Sequence, residues 1–202
     1  MKNILILYPK EFNSYTKFQR KVSKIVSNLD ASSCFTAPHD SNQLIHNFIE
    51  NNKSYLLQLQ ENWDIAGLTH AIVFDDGTVF NQEIELIRNH NIPLRIITIQ
   101  ITRVVNIKTD PIYKDNRGKS SEYEYIGRGS YWGNPYSMFE DGDEREEVIR
   151  KFKYDFDFDK FPKKKKSEVY KLAGKTLGCF CKPESCHGDV LADFLNAWDD
   201  GN

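Results

Sequence analysis

An α/β protein is what this sequence predicts, doubly wound around a mostly parallel sheet and followed by a smaller α/β unit. Three observations carry that expectation. Short apolar runs recur in the first half, at residues 3–8 (NILILY), 70–74 (HAIVF) and 93–99 (PLRIITI), with the length and continuity of parallel strands covered on both faces. Between them, apolar residues return at three- and four-residue spacing, as amphipathic helices require. After residue 101 the runs shorten and polar loops separate them, and two blocks crowded with ligand-type side chains appear: GRGSYWGNP at 127–135 and CFCKPESCHGD at 179–189.

Strand 3–8 leads into a helix that starts at Asn13 or Ser14, with Phe18, Val22, Ile25, Val26 and Leu29 on one side and lysines with Arg20 on the other. Residues 33–37 suit a second strand, and Leu44, Ile45, Phe48 and Ile49 mark a second helix capped by Asp40 or Ser41. Residues 55–59 fit strand or helix. Strand 70–74 passes through DDGT into a helix over 79–91, and strand 93–99 follows. Such alternation builds a Rossmann-like sheet with right-handed crossovers, and ligands of such sheets lie outside the carboxyl ends of the strands. The turns 8–13 and 75–78 fall at that edge, where Asp75 and Asp76 suit either a ribose contact or a simple turn.

The second half reads as strand 103–108, a polar loop over 109–122, a short strand 123–126 and a helix over 143–156 with Val148, Phe152 and Phe156 inward. Residues 155–166 resemble an exposed linker with aromatic anchors, and their lysine run reads as a solvated face. A short helix 167–173 stopped by Gly174, a strand 176–181 and a final helix 188–198 complete the chain. The predicted division is 1–101 and 102–202.

Composition narrows the function. Hydrophobic residues make up 40% and charged ones 28%, and the net charge is −2, so there is no general attraction to duplex nucleic acid or to an anionic membrane. No apolar run approaches the ~20 residues of a bilayer span. The opening MKNILILYPKEF turns polar too soon for a signal peptide, so a cytoplasmic location is expected. Three of the four cysteines crowd beside a histidine, unlike a secreted disulfide framework. Cys34 stands apart as a small buried hydrophobe. Nothing in the sequence requires a cofactor.

In GRGSYWGNP, Gly127 and Gly129 let backbone amides approach an anion, Arg128 can pair with a phosphate or carboxylate, and Ser130 adds a hydroxyl. Trp132 can stack on a base, and Asn134 can read its edge. The alternative is a structural loop whose tryptophan plugs the core.

The cysteine block admits three readings. Cys179, Cys181, Cys186 and His187 are four zinc-type ligands, but C-x-C followed by adjacent Cys-His departs from the usual paired spacings, so no metal is assigned. Cys186, His187 and Asp189 are the catalytic candidates, with a thiol near a helix N-terminus; chain neighbours seldom form a nucleophile–base pair. In the third reading Cys179 and Cys181 are small packing residues, while Cys186, His187 and Gly188 present amides and an imidazole to an anion. Asp189 then compensates the helix dipole.

The opening NILILYPKEFNSYTKF and the segment 70–97 (HAIVFDDGTVFNQEIELIRNHNIPLRII) resemble the SLOG superfamily of Rossmann-like nucleotide-binding proteins, near its YspA-type branch. Where that superfamily carries a glycine-rich phosphate loop, this chain has FTAPHDSN at 35–42, without a glycine, so a scaffold or homo-oligomerisation role for this half stands beside phosphate binding. Four blocks of the second half, VVN, YIGRGSYWGNP, GDEREEVIRKF and LGCFCKPESCHGDVLADFLN, are similar to a domain family of bacteria and their phages that has no assigned activity. The SLOG resemblance implies a nucleotide-type small-molecule partner, drawn from signalling or from conflict between bacteria and phages. Together these features predict a binder of such a molecule that senses or sequesters it; an enzyme acting on a nucleoside or ribosyl group and a zinc-stabilised interaction module are the alternatives.

Overall fold

In a computed structural model, which describes all residues except 1, 30–32, 53, 139–141 and 143, strand β1 (Lys2–Leu7) lies at the centre of a five-stranded sheet. It pairs in parallel with β2 (Ser33–Ala37) on one side and β4 (His70–Asp75) on the other, and β3 (Tyr55–Leu59) and β5 (Leu94–Thr98) close the edges. The order β3-β2-β1-β4-β5 is that of a doubly wound sheet, with the winding reversed between β1 and β4. Residues 55–59, open between strand and helix in the sequence, are a strand because β2 offers a free parallel edge to pair with.

Three helices connect these strands: α1 (Tyr15–Val26), α2 (Leu44–Glu50) and α3 (Asn81–Asn89). Ile4, Leu5, Ile6 and Leu7 are all excluded from solvent, as expected for a strand covered on both faces. Leu5 and Leu7 pack with Phe80, Ile84 and Ile87 on the α3 side. Phe18 of α1 stacks on Phe74 at 5.3 Å, and Phe12 stacks on Phe74 at 5.0 Å. This unit comprises residues 1–99 together with 197–202.

Residues 100–196 form a second compact unit. Its sheet has three parallel strands in the order β6-β8-β7, namely β6 (Arg103–Asn106), β7 (Tyr123–Tyr125) and β8 (Thr176–Cys179). Helices α4 (Arg145–Asp157) and α5 (His187–Asn196), with a 3-10 helix over Lys166–Leu172, enclose a core of Ile126, Phe152, Phe156, Leu177 and Leu191. The start expected for α4, residue 143, lies outside the described residues. A reciprocal pair of buried bonds pins α5 beside β6: the Thr102 amide donates to Asn196 Oδ1 at 2.8 Å, and Asn196 Nδ2 donates to the Thr102 oxygen at 3.0 Å.

The lysine run is not simply a solvated face. Lys164 Nζ donates to the Gly133 oxygen at 2.6 Å and lies 4.5 Å from the Phe161 ring centre, and burial pushes its pKa down. Lys166 sits 5.0 Å from the ring centres of both Phe156 and Phe194. The long methylene stems cover aromatic surface while the ammonium groups find a carbonyl or a ring face. Alternating aromatics in DFDFDKF supply those rings, so the lysines that follow are drawn inward.

Candidate functional site

The carboxyl edge of the first sheet is filled by its own side chains. Asp40 accepts from the Tyr8 hydroxyl at 2.7 Å and from the Ile45 and His46 amides at 3.0 and 2.8 Å, so a carboxylate caps the start of α2. The phosphate of a nucleotide would have to displace that carboxylate. Asn42 Nδ2 donates to the Lys10 and Phe12 oxygens, tying the glycine-free loop to the first turn. Asp75 accepts from the Gly77 amide, and Asp76 from the amide and hydroxyl of Thr78. The aspartates that suited a ribose contact are therefore turn residues. This half keeps the doubly wound architecture while its phosphate-facing positions are spent on local bonds.

In the second unit, a cleft of about 310 Å³ opens at the carboxyl ends of β7 and β8. Gly127, Arg128 and Asn134 line it together with Cys179, Cys181, Cys186 and His187 and the first turns of α4 (Arg145, Val148, Ile149). The wall from GRGSYWGNP is built from two successive tight turns, in which the Ser130 amide donates to the Gly127 oxygen and the Gly133 amide to the Ser130 oxygen, both at 3.1 Å. Gly129 takes φ +84° in the first of them, a conformation that favours glycine.

Arg128 Nη2 donates to Ser137 Oγ at 3.1 Å, and Arg145 Nη1 donates to the Ser185 oxygen at 3.2 Å. Neither guanidinium meets a carboxylate among the described residues. Asn134 lines the cleft but both ends of its amide are in use, Nδ2 donating to the Val148 oxygen at 3.1 Å and Oδ1 accepting from the Tyr136 amide at 3.0 Å. Tyr136 donates its hydroxyl to Asp155 at 2.6 Å, which pushes the phenol up to about 12.

Four of the expected ligand contacts lie off the cleft wall. Trp132 is 3% exposed and belongs to the same hydrophobic core as Phe152 and Phe156. Its large apolar ring gains more from burial there than from an open site. It also borders a separate, open depression beside Lys171 and Lys175. Ser130 has its hydroxyl buried, and Gly129 only makes the turn. Gly188 is a close-packing residue, since a Cβ there would lie 2.5 Å from Ile126 Cδ1.

The cysteine block folds together. Cys179 Sγ and Cys181 Sγ are 3.6 Å apart, and Cys186 Sγ lies 3.6 Å from His187 Nδ1 although the two are chain neighbours. The turn into α5 brings their side chains round to one side, which spacing alone did not suggest. His187 Nε2 is 2.9 Å from the Ile126 oxygen, and burial lowers the imidazole pKa. Hydrogen bonds from Cys179 and Cys186, with Arg145 nearby, hold the Cys181 thiol well below its usual range. Bonds to the other two sulfurs, and burial, push Cys186 up. Asp189 is committed elsewhere: it accepts from the Cys186 amide at 2.9 Å and pairs with Lys182 at 2.6 Å.

Arg145, Tyr136 and Phe180 line the cleft without having been singled out in the sequence. Arg145 had a signal, being the basic residue set into the acidic start of α4; Phe180 had one in its place between two cysteines.

Fold and cleft define a nucleotide-fold protein that carries a second, cysteine-rich α/β unit. The minimal SLOG domain matches residues 1–105, just over half of the chain, and the chain belongs to that family. Membership points to a nucleotide-related role. A domain of unknown function, DUF4326, matches residues 112–197, the stretch that contains the cleft. Among curated proteins, the chain is 40% identical over 86 residues to an uncharacterized 12.4 kDa protein in the nrdA-td intergenic region of Enterobacteria phage T4, covering 40% of this chain and 74% of the phage protein. No solved structure matches the chain. No helix among the described residues is long and apolar enough to cross a membrane.

Proposed function

We propose that this protein binds a nucleotide or nucleotide-derived small molecule in the cleft of residues 100–196, and that it senses or sequesters that ligand. Support comes above all from Arg128 and Arg145 on the wall of a mostly apolar cleft, neither paired with a described carboxylate. Guanidinium groups match phosphate oxygens, and the adjoining faces of Phe180, Tyr136, Val148 and Ile149 suit a base or ribose. SLOG membership favours a nucleotide over other small anions.

Thermal unfolding of the purified chain with nucleotides, cyclic nucleotides and ADP-ribose derivatives tests this. A ligand at a hundred times its Kd adds about 2.7 kcal/mol of stability. Arg128→Ala is expected to abolish the response and leave the unliganded transition in place. If no member of the panel shifts the transition, the proposal fails.

Hydrolysis or transfer of a nucleoside or ribosyl group is the second reading, and the 3.6 Å contact of Cys186 Sγ with His187 Nδ1 favours it. The raised Cys186 thiol and the committed Asp189 carboxylate weigh against it. Mass analysis after long incubation separates the two, since a binder returns its ligand intact.

A further inference from the structure

We propose that Cys179, Cys181, Cys186 and His187 hold a structural zinc ion at the floor of the second unit's cleft. A tetrahedral zinc with Zn–S near 2.3 Å and Zn–N near 2.0–2.1 Å has edges of about 3.8 Å between sulfurs and about 3.6 Å between sulfur and nitrogen. The Cys179–Cys181 and Cys186–His187 separations, both 3.6 Å, are edges of that size. The donor atoms of Cys179, Cys186 and His187 all lie within 4.8 Å of one another. Cys181 Sγ stands outside that group of three, but it is 3.6 Å from Cys179 Sγ and partly exposed toward the cleft, so a rotation of its side chain supplies the fourth ligand.

The surroundings are those of a metal site as well. A backbone carbonyl can only accept, so His187 Nε2 carries the proton that it shares with Ile126 and the lone pair is left on Nδ1, the nitrogen that faces Cys186. Fixing the tautomer of a ligating histidine through its second nitrogen is the usual outer-shell arrangement at zinc. The Gly188 amide donates to Cys186 Sγ at 3.2 Å, supporting a thiolate there. Three thiolates and a divalent zinc leave one negative charge, and the Arg145 guanidinium beside Cys181 is placed to offset it. Without a metal, the thiols of this largely buried corner have only weak sulfur contacts and the His187 Nδ1 lone pair as partners; zinc binding releases their protons and replaces those weak contacts with ligand bonds. The sulfurs are too far apart for a disulfide, whose S–S bond is about 2.05 Å. With four protein ligands the ion has no open position, so its role is to hold β8 and the start of α5 together.

The test uses the full chain purified without chelator. Elemental analysis is expected to find one zinc per chain, and cobalt substitution to give the intense red-region bands of a tetrahedral thiolate site. Cys181→Ser, at the partly exposed corner, is expected to keep the fold and to lose zinc to a competing chelator faster than wild type. Cys34→Ser, in the other unit, serves as a control that changes neither. Absence of stoichiometric zinc together with no cobalt spectrum overturns the proposal, as does an intact mass showing a disulfide or iron in place of zinc. The ligand-binding proposal stands or falls separately, because zinc content is read without any nucleotide present.

Discussion

Gly133 passes so close to Gly127 that a Cβ on Gly133 would lie 2.6 Å from the Gly127 oxygen and 3.3 Å from the Arg128 Cα. Both neighbours are backbone and cannot swing aside. The glycines of GRGSYWGNP therefore shape the wall that presents Arg128. Gly133→Ala should destabilise the second unit by about 1–3 kcal/mol, the range for overpacking. It should also weaken any ligand response, because the turn carrying Arg128 must shift. Urea unfolding read alongside ligand titration checks both, and wild-type behaviour in the two measurements would contradict the close-packing account.

Trp132 separates a core role from a ligand role. As a core residue, its change to Ala should cost about 3–5 kcal/mol, while Trp132→Phe should cost much less and leave ligand affinity nearly unchanged. Were the indole a stacking platform in the cleft, Trp132→Phe would keep stability and Trp132→Ala would chiefly reduce affinity. Denaturant midpoints and titrations on both variants distinguish the outcomes.

In the first unit, Lys17 is 3% exposed and its ammonium lies 2.7 Å from Asp200. Removing one partner of a buried pair leaves an uncompensated charge. Asp200→Asn should cost about 2–3 kcal/mol, on the low side for such pairs because Asp200 keeps some solvent contact. Burial raises the Asp200 pKa, but the bond from Lys17 and the Asn202 amide lower it by more, so the net shift is downward. A depressed carboxylate contributes stability that is present above its unfolded pKa of about 3.9 and is lost as pH falls through the folded value. The gap in urea stability between wild type and Asp200→Asn should therefore hold near neutrality and close in acid. A gap that persists unchanged in acid would count against the ion pair.

Asp40 serves Tyr8 and the start of α2 at once. Asp40→Ala should cost about 2 kcal/mol through the lost cap and the stranded Tyr8 hydroxyl, while Asp40→Asn, which can still accept from the amides, should cost less. Chemical denaturation of the two variants gives the comparison; equal losses would mean that the carboxylate acts by charge alone.

Most of the fold was legible because its causes are local. Continuous apolar runs such as NILILY and HAIVF can only be strands covered twice, and the spacing of Phe18, Val22 and Val26 marks the buried side of α1. The Asp40 cap was legible for the same reason, since an acceptor ahead of an apolar helix has few other uses. Residues 55–59 were not, because a short run becomes a strand only when a neighbouring edge is free. The inward packing of Lys164 and Lys166 is hidden in the sequence because a charged run advertises its ends and conceals its stems.

By itself the sequence determined the α/β alternation, the SLOG resemblance and the two blocks in which ligand-type residues are concentrated. Only the tertiary structure decided how those residues are used. Trp132 turned inward because its burial is worth more than any exposed position. Arg145, in the first turn of α4, lines the same cleft as Arg128, a meeting that the sequence does not spell out. The spacing C-x-C and then adjacent Cys-His departs from the usual paired ligand spacings, which describe one chain path around an ion. Here the end of β8 and the turn into α5 bring the donor atoms of Cys179, Cys186 and His187 within 4.8 Å of one another, with His187 held by the carbonyl of Ile126, a proximity that no linear spacing encodes.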